Sequence, residues 1–136
     1  MIIRTLSAAL ACLAVTTTVL AETRISIQRG QASFYHPRNF TGRQMANGDR
    51  FDPASNAAAH RTLPLGTIAD VTNLRNGATR RVVIEDRGPY VGGRLIDLSP
   101  RTAEELGMRQ DGLAPVEVRP VGQLPNRARD GQSGLP

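Results

Sequence analysis

Arg81-Val82-Val83-Ile84-Glu85-Asp86-Arg87-Gly88-Pro89-Tyr90-Val91-Gly92-Gly93-Arg94-Leu95-Ile96-Asp97-Leu98 decides the fold. Val82, Val83 and Ile84 are a β-branched run of the kind that makes a strand with a buried face. The run stops at two adjacent carboxylates, Glu85 and Asp86. Gly88-Pro89 and Gly92-Gly93 then force a loop, because proline has no N–H for a ladder and glycine tolerates positive φ. A second strand resumes at Leu95, Ile96 and Leu98, with Asp97 inside it. A β core therefore carries carboxylates to a glycine-rich rim, where functional groups concentrate. The same spacing also fits a plainer assignment, in which Asp86 caps the turn and Arg87 or Arg94 pairs with Asp97.

Toward the N-terminus, residues 67–73 form a strand, Leu74-Arg75-Asn76-Gly77 a turn and residues 78–85 the returning strand. The Asn-Gly pair is the strongest short-range hairpin signal. Residues 36–59 are polar and dotted with Gly, Asn and Pro, and a loop this long in a compact domain is functional or disordered. Asn47-Gly48 marks a turn within it, and Asp49 and Asp52 add two carboxylates. Each of these, taken alone, is more often a solvated turn residue. Asn56-Ala57-Ala58-Ala59-His60 reads as a short helical turn. Residues 31–35 form a strand with Ala32 and Phe34 on one face and Ser33 and Tyr35 on the other. Residues 22–29 are a loose lead-in.

Toward the C-terminus, Ser99 caps a helix over residues 100–106, with Pro100 first and Gly107 closing it. Ala103 and Leu106 face its core side, and Glu104 and Glu105 face water. Val116-Glu117-Val118-Arg119 alternates as a half-buried strand does, and its flanking Pro115 and Pro120 suggest an edge. Residues 122–136 read as a disordered tail.

Residues 1–21 combine Arg4, an apolar run and Val19-Leu20-Ala21 as a cleavage site, the pattern of a secretory signal peptide. Export to the periplasm follows. Cys12, the single cysteine, lies inside this leader. A lipid anchor at Cys12 would leave the hydrophobic half of the leader on the mature chain and is disfavoured. With Cys12 removed, disulfides, cysteine catalysis and Cys-type zinc sites are excluded. All 17 basic residues are arginine, and losing Arg4 leaves 16 against 12 acids. Such a balance suits an anionic polymer, an anionic membrane or nucleic acid. Scattered arginines, few aromatics and export speak against nucleic acid. An anionic glycan such as the cell wall fits best. His36 and His60 are the only histidines, and a lone histidine is more often structural than a ligand, so neither metal nor cofactor is expected.

Six motifs stand in one order: Gly30-Gln31-Ala32-Ser33-Phe34-Tyr35; Gly42-Arg43 with Ala46-Asn47-Gly48 and Phe51-Asp52; Ala58-Ala59-His60-Arg61-Thr62-Leu63-Pro64-Leu65-Gly66; Val71-Thr72-Asn73-Leu74 with Asn76-Gly77; Asp86-Arg87-Gly88-Pro89-Tyr90; and Arg94-Leu95-Ile96-Asp97-Leu98-Ser99. Together, over residues 30–121, they resemble the RlpA (rare lipoprotein A) family of bacterial septal peptidoglycan lytic transglycosylases. The resemblance implies a mainly β fold, a six-stranded double-psi β-barrel with one or two short helices, related to expansins and barwin-like proteins. It implies endolytic cleavage between N-acetylmuramic acid and N-acetylglucosamine on peptide-poor strands, leaving 1,6-anhydro ends. Carried over residue by residue, the catalytic set is Asp86, Asp52 and His60. Asp49 stands at the family's glutamate position, and Met45 where a threonine is usual. Asn47, Tyr35, Arg43, Arg61 and Arg87 complete the expected substrate contacts, the arginines facing the lactyl carboxylate of muramic acid.

The chemistry expected of Asp86 is acid–base. A glycosidic bond breaks when its leaving oxygen gains a proton as the sugar becomes oxocarbenium-like. The sugar's own 6-hydroxyl then attacks, so no carboxylate nucleophile is needed, and Asp86 serves as its base. Asp52 and His60 would orient the sugar or tune Asp86. A non-catalytic, expansin-like wall-binding module would use the same groove without turnover. The expected partner is the peptidoglycan glycan strand, with other cell-wall or division proteins as candidates, no nucleic acid, and a monomeric state.

Overall fold

The computed structural model describes residues 26–125. The leader read at residues 1–21, with Cys12, lies outside the described residues, as does most of the tail read at 122–136. The elements run β1 (Gln28–Phe34), α1 (Pro37–Phe40), β2 (Ala57–His60), β3 (Thr67–Asn73), β4 (Thr79–Asp86), β5 (Arg94–Leu98), α2 (Pro100–Glu105) and β6 (Ala114–Gln123). The six strands close into a barrel in the order β1-β5-β2-β4-β3-β6. The neighbours β1/β5 and β2/β4 are parallel and the others antiparallel. This is a double-psi β-barrel with two short helices.

Strand alternation sends Val71, Val82, Ile84, Ile96, Leu98 and Val118 to the interior, each fully buried. The β3–β4 hairpin turns through Gly77 at φ +74°, and Asn73 N–H donates to the Ala78 carbonyl (2.8 Å). In α2 the Ser99 side chain accepts from Thr102 N–H, Pro100 takes the first position, and Ala103 and Leu106 are buried. Where β1 meets β5 the register slips past Leu95. A Cβ at Gly30 would stand 2.8 Å from Leu95 Cβ, so only glycine lets the strands approach there.

Four local readings differ from the structure. Residues 57–60 are a strand rather than a helical turn: β2 is inserted between β4 and β5, and its ladder bonds outweigh the helix preference of three alanines. β1 begins at Gln28, inside the stretch read as lead-in, because Gln28 and Arg29 pair with Val118 and Glu117. β6 is no edge, since it is hydrogen-bonded to both β1 and β3. Pro120 is accommodated because it sits where the β3–β6 register shifts, between Ile68 and Ala69. The chain also stays ordered beyond residue 122: β6 runs to Gln123, and Leu124 N–H donates to the Gly66 carbonyl (2.8 Å).

The long polar segment after β1 is folded over the outside of the barrel. Tyr35, Met45 and Phe51 form a second apolar cluster with Ala57 and Ala59, the outward residues of β2. Each large side chain so buried contributes about 1.5–3 kcal/mol toward holding the loop in place.

Candidate active site

Asp86 owes its orientation to a β-bulge. Alternation along β4 would point it inward with Val82 and Ile84. Instead, Ala58 pairs with Ile84 and Ala59 with Asp86, so Glu85 is skipped and Asp86 emerges on the outer face. Bulges re-aim side chains in this way at many active sites. The carboxylate then collects three donors. Tyr35 donates its hydroxyl to Oδ2 (2.7 Å), and Ala46 N–H and Arg87 N–H both donate to Oδ1 (2.9 Å each). A carboxylate has about four lone-pair positions, so one on Oδ2 remains for a ligand. Asp86 lines a cavity of about 190 Å³ whose walls are Tyr35, Phe40, Met45 and Phe51 and whose rim is Arg43 and Gln44. Burial above all, then the bond to Asp86 and the charges of Asp86 and Asp97, hold the Tyr35 phenol well above its ordinary pKa, so it stays a donor.

A second carboxylate lies in the same row. Ala59 is the partner of Asp86 on one side and of Asp97 on the other, and Asp97 is in turn the partner of Ser33 on β1. In-register neighbours share a face, so Asp86, Ala59, Asp97 and Ser33 run across four strands. Ser33 and Arg94 both hydrogen-bond Asp97 Oδ1, Arg94 at 2.5 Å, and Arg94 also reaches the Ser33 hydroxyl. The plainer assignment of Arg94 as the ion-pair partner of Asp97 is what the structure shows.

The remaining expected residues are distributed around this row. Arg43 is exposed at the cavity rim, its guanidinium 5.5 Å from the Phe40 ring centroid. Asn47 and Asp49 form a turn of their own, Asn47 Oδ1 accepting from Asp49 N–H (2.9 Å) and Asn47 Nδ2 donating to Asp49 Oδ2 (3.3 Å). Asp52 is exposed and accepts from Ala54 N–H (2.9 Å), the geometry of a turn carboxylate. His60 is nearly fully buried on the opposite face of β2 from Ala59. Its Nδ1 accepts from Thr62 and Leu63 N–H, and its Nε2 donates to Gln28 Oε1 (2.8 Å). Burial, then the charges of Arg61 and Arg87, lower its pKa and keep the ring neutral. Arg87 Nη1 donates to the carbonyls of His60 (3.0 Å) and Leu63 (2.6 Å). Arg61 is exposed at the start of the loop that follows β2. The structure thus brings Asp86, Tyr35 and Arg43 to one cavity, while Asp52, His60, Arg61 and Arg87 stand away from its lining. His60 and Arg87 reach Asp86 indirectly: the histidine shapes the 61–63 loop, the loop anchors the Arg87 side chain, and Arg87 N–H bonds Asp86. Among the described residues no group of three His, Asp or Glu side chains is gathered as a metal would require.

Residues 27–118 match the family profile described as lytic transglycolase. The chain belongs to the RlpA family of lytic transglycolases. It is 49% identical over 113 residues to a Synechocystis protein named "Probable endolytic peptidoglycan transglycosylase RlpA", and 50% identical over 91 residues to an Aquifex aeolicus protein of the same name. These matches cover 83% and 67% of this chain, but the chain spans only 35% and 40% of those relatives. Among solved structures, the expansin of Clavibacter michiganensis aligns with TM-score 0.57 at 24% identity, covering 74% of this chain and 53% of that one. At that identity the likeness is one of fold.

In this RlpA-family barrel, sequence reasoning passes over Phe40, Gln44, Met45 and Phe51 as lining residues; it offers the Arg94–Asp97 pair but passes over Ser33 as its third member and over Asp97 as sharing a row with Asp86. Asp97 had a signal, a carboxylate alternating with Ile96 and Leu98 on a strand whose other face is core. The loop residues had none, because their convergence depends on how residues 36–56 cross the barrel.

Proposed function

We propose that this domain is an endolytic lytic transglycosylase that cleaves the MurNAc–GlcNAc bond of peptidoglycan and leaves 1,6-anhydro ends, preferring peptide-poor strands. The observation that carries this reading is Asp86 at the cavity, oriented by three donors with one position on Oδ2 unfilled. As the general acid of this reaction, Asp86 gives a proton to the leaving glycosidic oxygen as positive charge develops on the sugar. The same oxygen then accepts the proton of the sugar's 6-hydroxyl as that oxygen closes onto the anomeric carbon. The proton count balances and no water is consumed. Tyr35 holds Oδ2 in place, and Asp97 with Arg94 and Ser33 lies farther along the same row, outside the cavity lining. His60 and Arg87 are positioning residues, and Asp52 and Asp49 set the turns of the covering loop. Exposed Arg43 at the rim suits an anionic glycan. Export through the leader read at residues 1–21 would deliver the domain to that polymer in the periplasm.

Purified protein incubated with peptide-free glycan strands should release products ending in 1,6-anhydro-MurNAc, detected by mass spectrometry. Binding to the strands without any such product would instead support a non-catalytic, expansin-like wall module.

A further inference from the structure

The cavity beside Asp86 has a wall that acid–base chemistry does not use. Met45 and Phe51 are only 7% and 4% exposed, and the Tyr35 ring packs against Phe40 (centroids 5.0 Å apart) and Phe51 (4.6 Å). A sugar hydroxyl pressed against this wall would lose its bonds to water and gain none, whereas a methyl group gains from the same contact. Gln44 stands at the rim, its Nε2 donating to the Gly48 carbonyl (3.3 Å), which leaves the amide oxygen as an acceptor for an N–H. The volume of about 190 Å³ has room for an acetamido group with the ring carbon that bears it.

We propose that this cavity reads the acetamido group of an N-acetylated amino sugar, Met45 and Phe40 contacting its methyl and Gln44 its amide N–H. The proposal rests on the glycan reading of the site, but it does not depend on turnover. It makes the loop over the barrel, rather than the strands beneath it, the element that separates amino-sugar polymers from plain glucans. A hydroxyl in place of the acetamido group leaves the apolar wall uncovered and is itself left without partners, so the discrimination has both an attractive and a repulsive part.

The test uses two neutral β-1,4 hexasaccharides, N-acetylchitohexaose and cellohexaose, which differ only in acetamido against hydroxyl at each C2. Titrated into the full chain by calorimetry, the acetylated sugar should bind at least tenfold more tightly. Met45→Ser should reduce that ratio about fivefold. Phe40→Ala, at a half-buried position, repeats the test should the Met45 variant fail to fold. Equal binding of the two sugars, or a ratio unmoved in folded variants, overturns the proposal. Release of anhydro products from peptide-free glycan is followed in parallel. Turnover without acetamido preference sinks this inference alone, preference without turnover sinks the catalytic reading alone, and no binding of either sugar overturns the acetamido site.

Discussion

Asp86 and Asp97 lie on the same outer face of the barrel with a single residue, Ala59, between them. Two strand spacings of about 4.8 Å separate their backbones, on the order of 10 Å in all. Their settings differ. Asp97 is bound to the Arg94 guanidinium and the Ser33 hydroxyl, whereas Asp86 meets neutral donors and keeps a position open to the cavity. Ala59, at 1% exposure, is covered between them by the apolar cluster of Tyr35, Met45 and Phe51. Two like residues in one row thus stand in different electrostatic settings.

Replacing Asp86 by asparagine keeps the shape but removes the transferable proton. Loss of general acid–base help should lower kcat by roughly 10²–10⁴, while glycan pull-down persists because the cavity walls are intact. Normal release of anhydro products by this variant would remove Asp86 from the acid role.

Asp97→Asn should act through Arg94. The guanidinium Nε is already buried without a partner among the described residues, and losing the ion pair leaves a half-buried charge poorly matched. A destabilisation of about 1–3 kcal/mol is expected, read as a lower urea midpoint. Adding Arg94→Met should recover much of it. Additive losses in the double variant would show that the two side chains are not coupled.

His60 makes stability depend on pH. Its folded pKa lies below the ordinary 6.5, because burial and the neighbouring Arg61 and Arg87 disfavour the charged ring. Below pH 6.5 the unfolded chain binds a proton that the folded chain refuses, so stability falls as pH drops from about 6.5 toward the folded pKa and is flat above that window. His60→Gln should flatten the slope of Tm between pH 6.5 and 5. An unchanged slope would mean that other groups set it.

Gly30→Ala tests the contact between β1 and β5. The added Cβ would sit 2.8 Å from Leu95 Cβ, too close to Leu95's own backbone for a rotamer change to relieve. Overpacking of this kind costs about 1–3 kcal/mol, and the melting temperature should fall by several degrees. A variant as stable as the parent would show that the bulge past Leu95 can relax.

Much of the barrel is legible in the sequence because its signals are local. The run Val82-Val83-Ile84, the Asn76-Gly77 turn, the alternation of Ile96 and Leu98 around Asp97, and the Ser99-Pro100 cap each act within a few residues, where apolar periodicity and backbone restriction suffice. Asp86 could likewise be singled out, as the last residue of a buried strand before a glycine-rich loop. What the tertiary structure alone decided is facing and pairing. Skipping Glu85 turns Asp86 outward, whereas unbroken alternation on β2 buries His60 on the other side of the same sheet. Ala57-Ala58-Ala59 becomes a strand only because β4 and β5 flank it, and β6 escapes being an edge only because β1 and β3 both reach it. Phe40, Met45 and Phe51 meet Tyr35 only once the loop has crossed the barrel. Each outcome depends on hydrogen bonds and packing between segments far apart in the chain, and a bulge of one residue reverses which side of the sheet a functional group can serve.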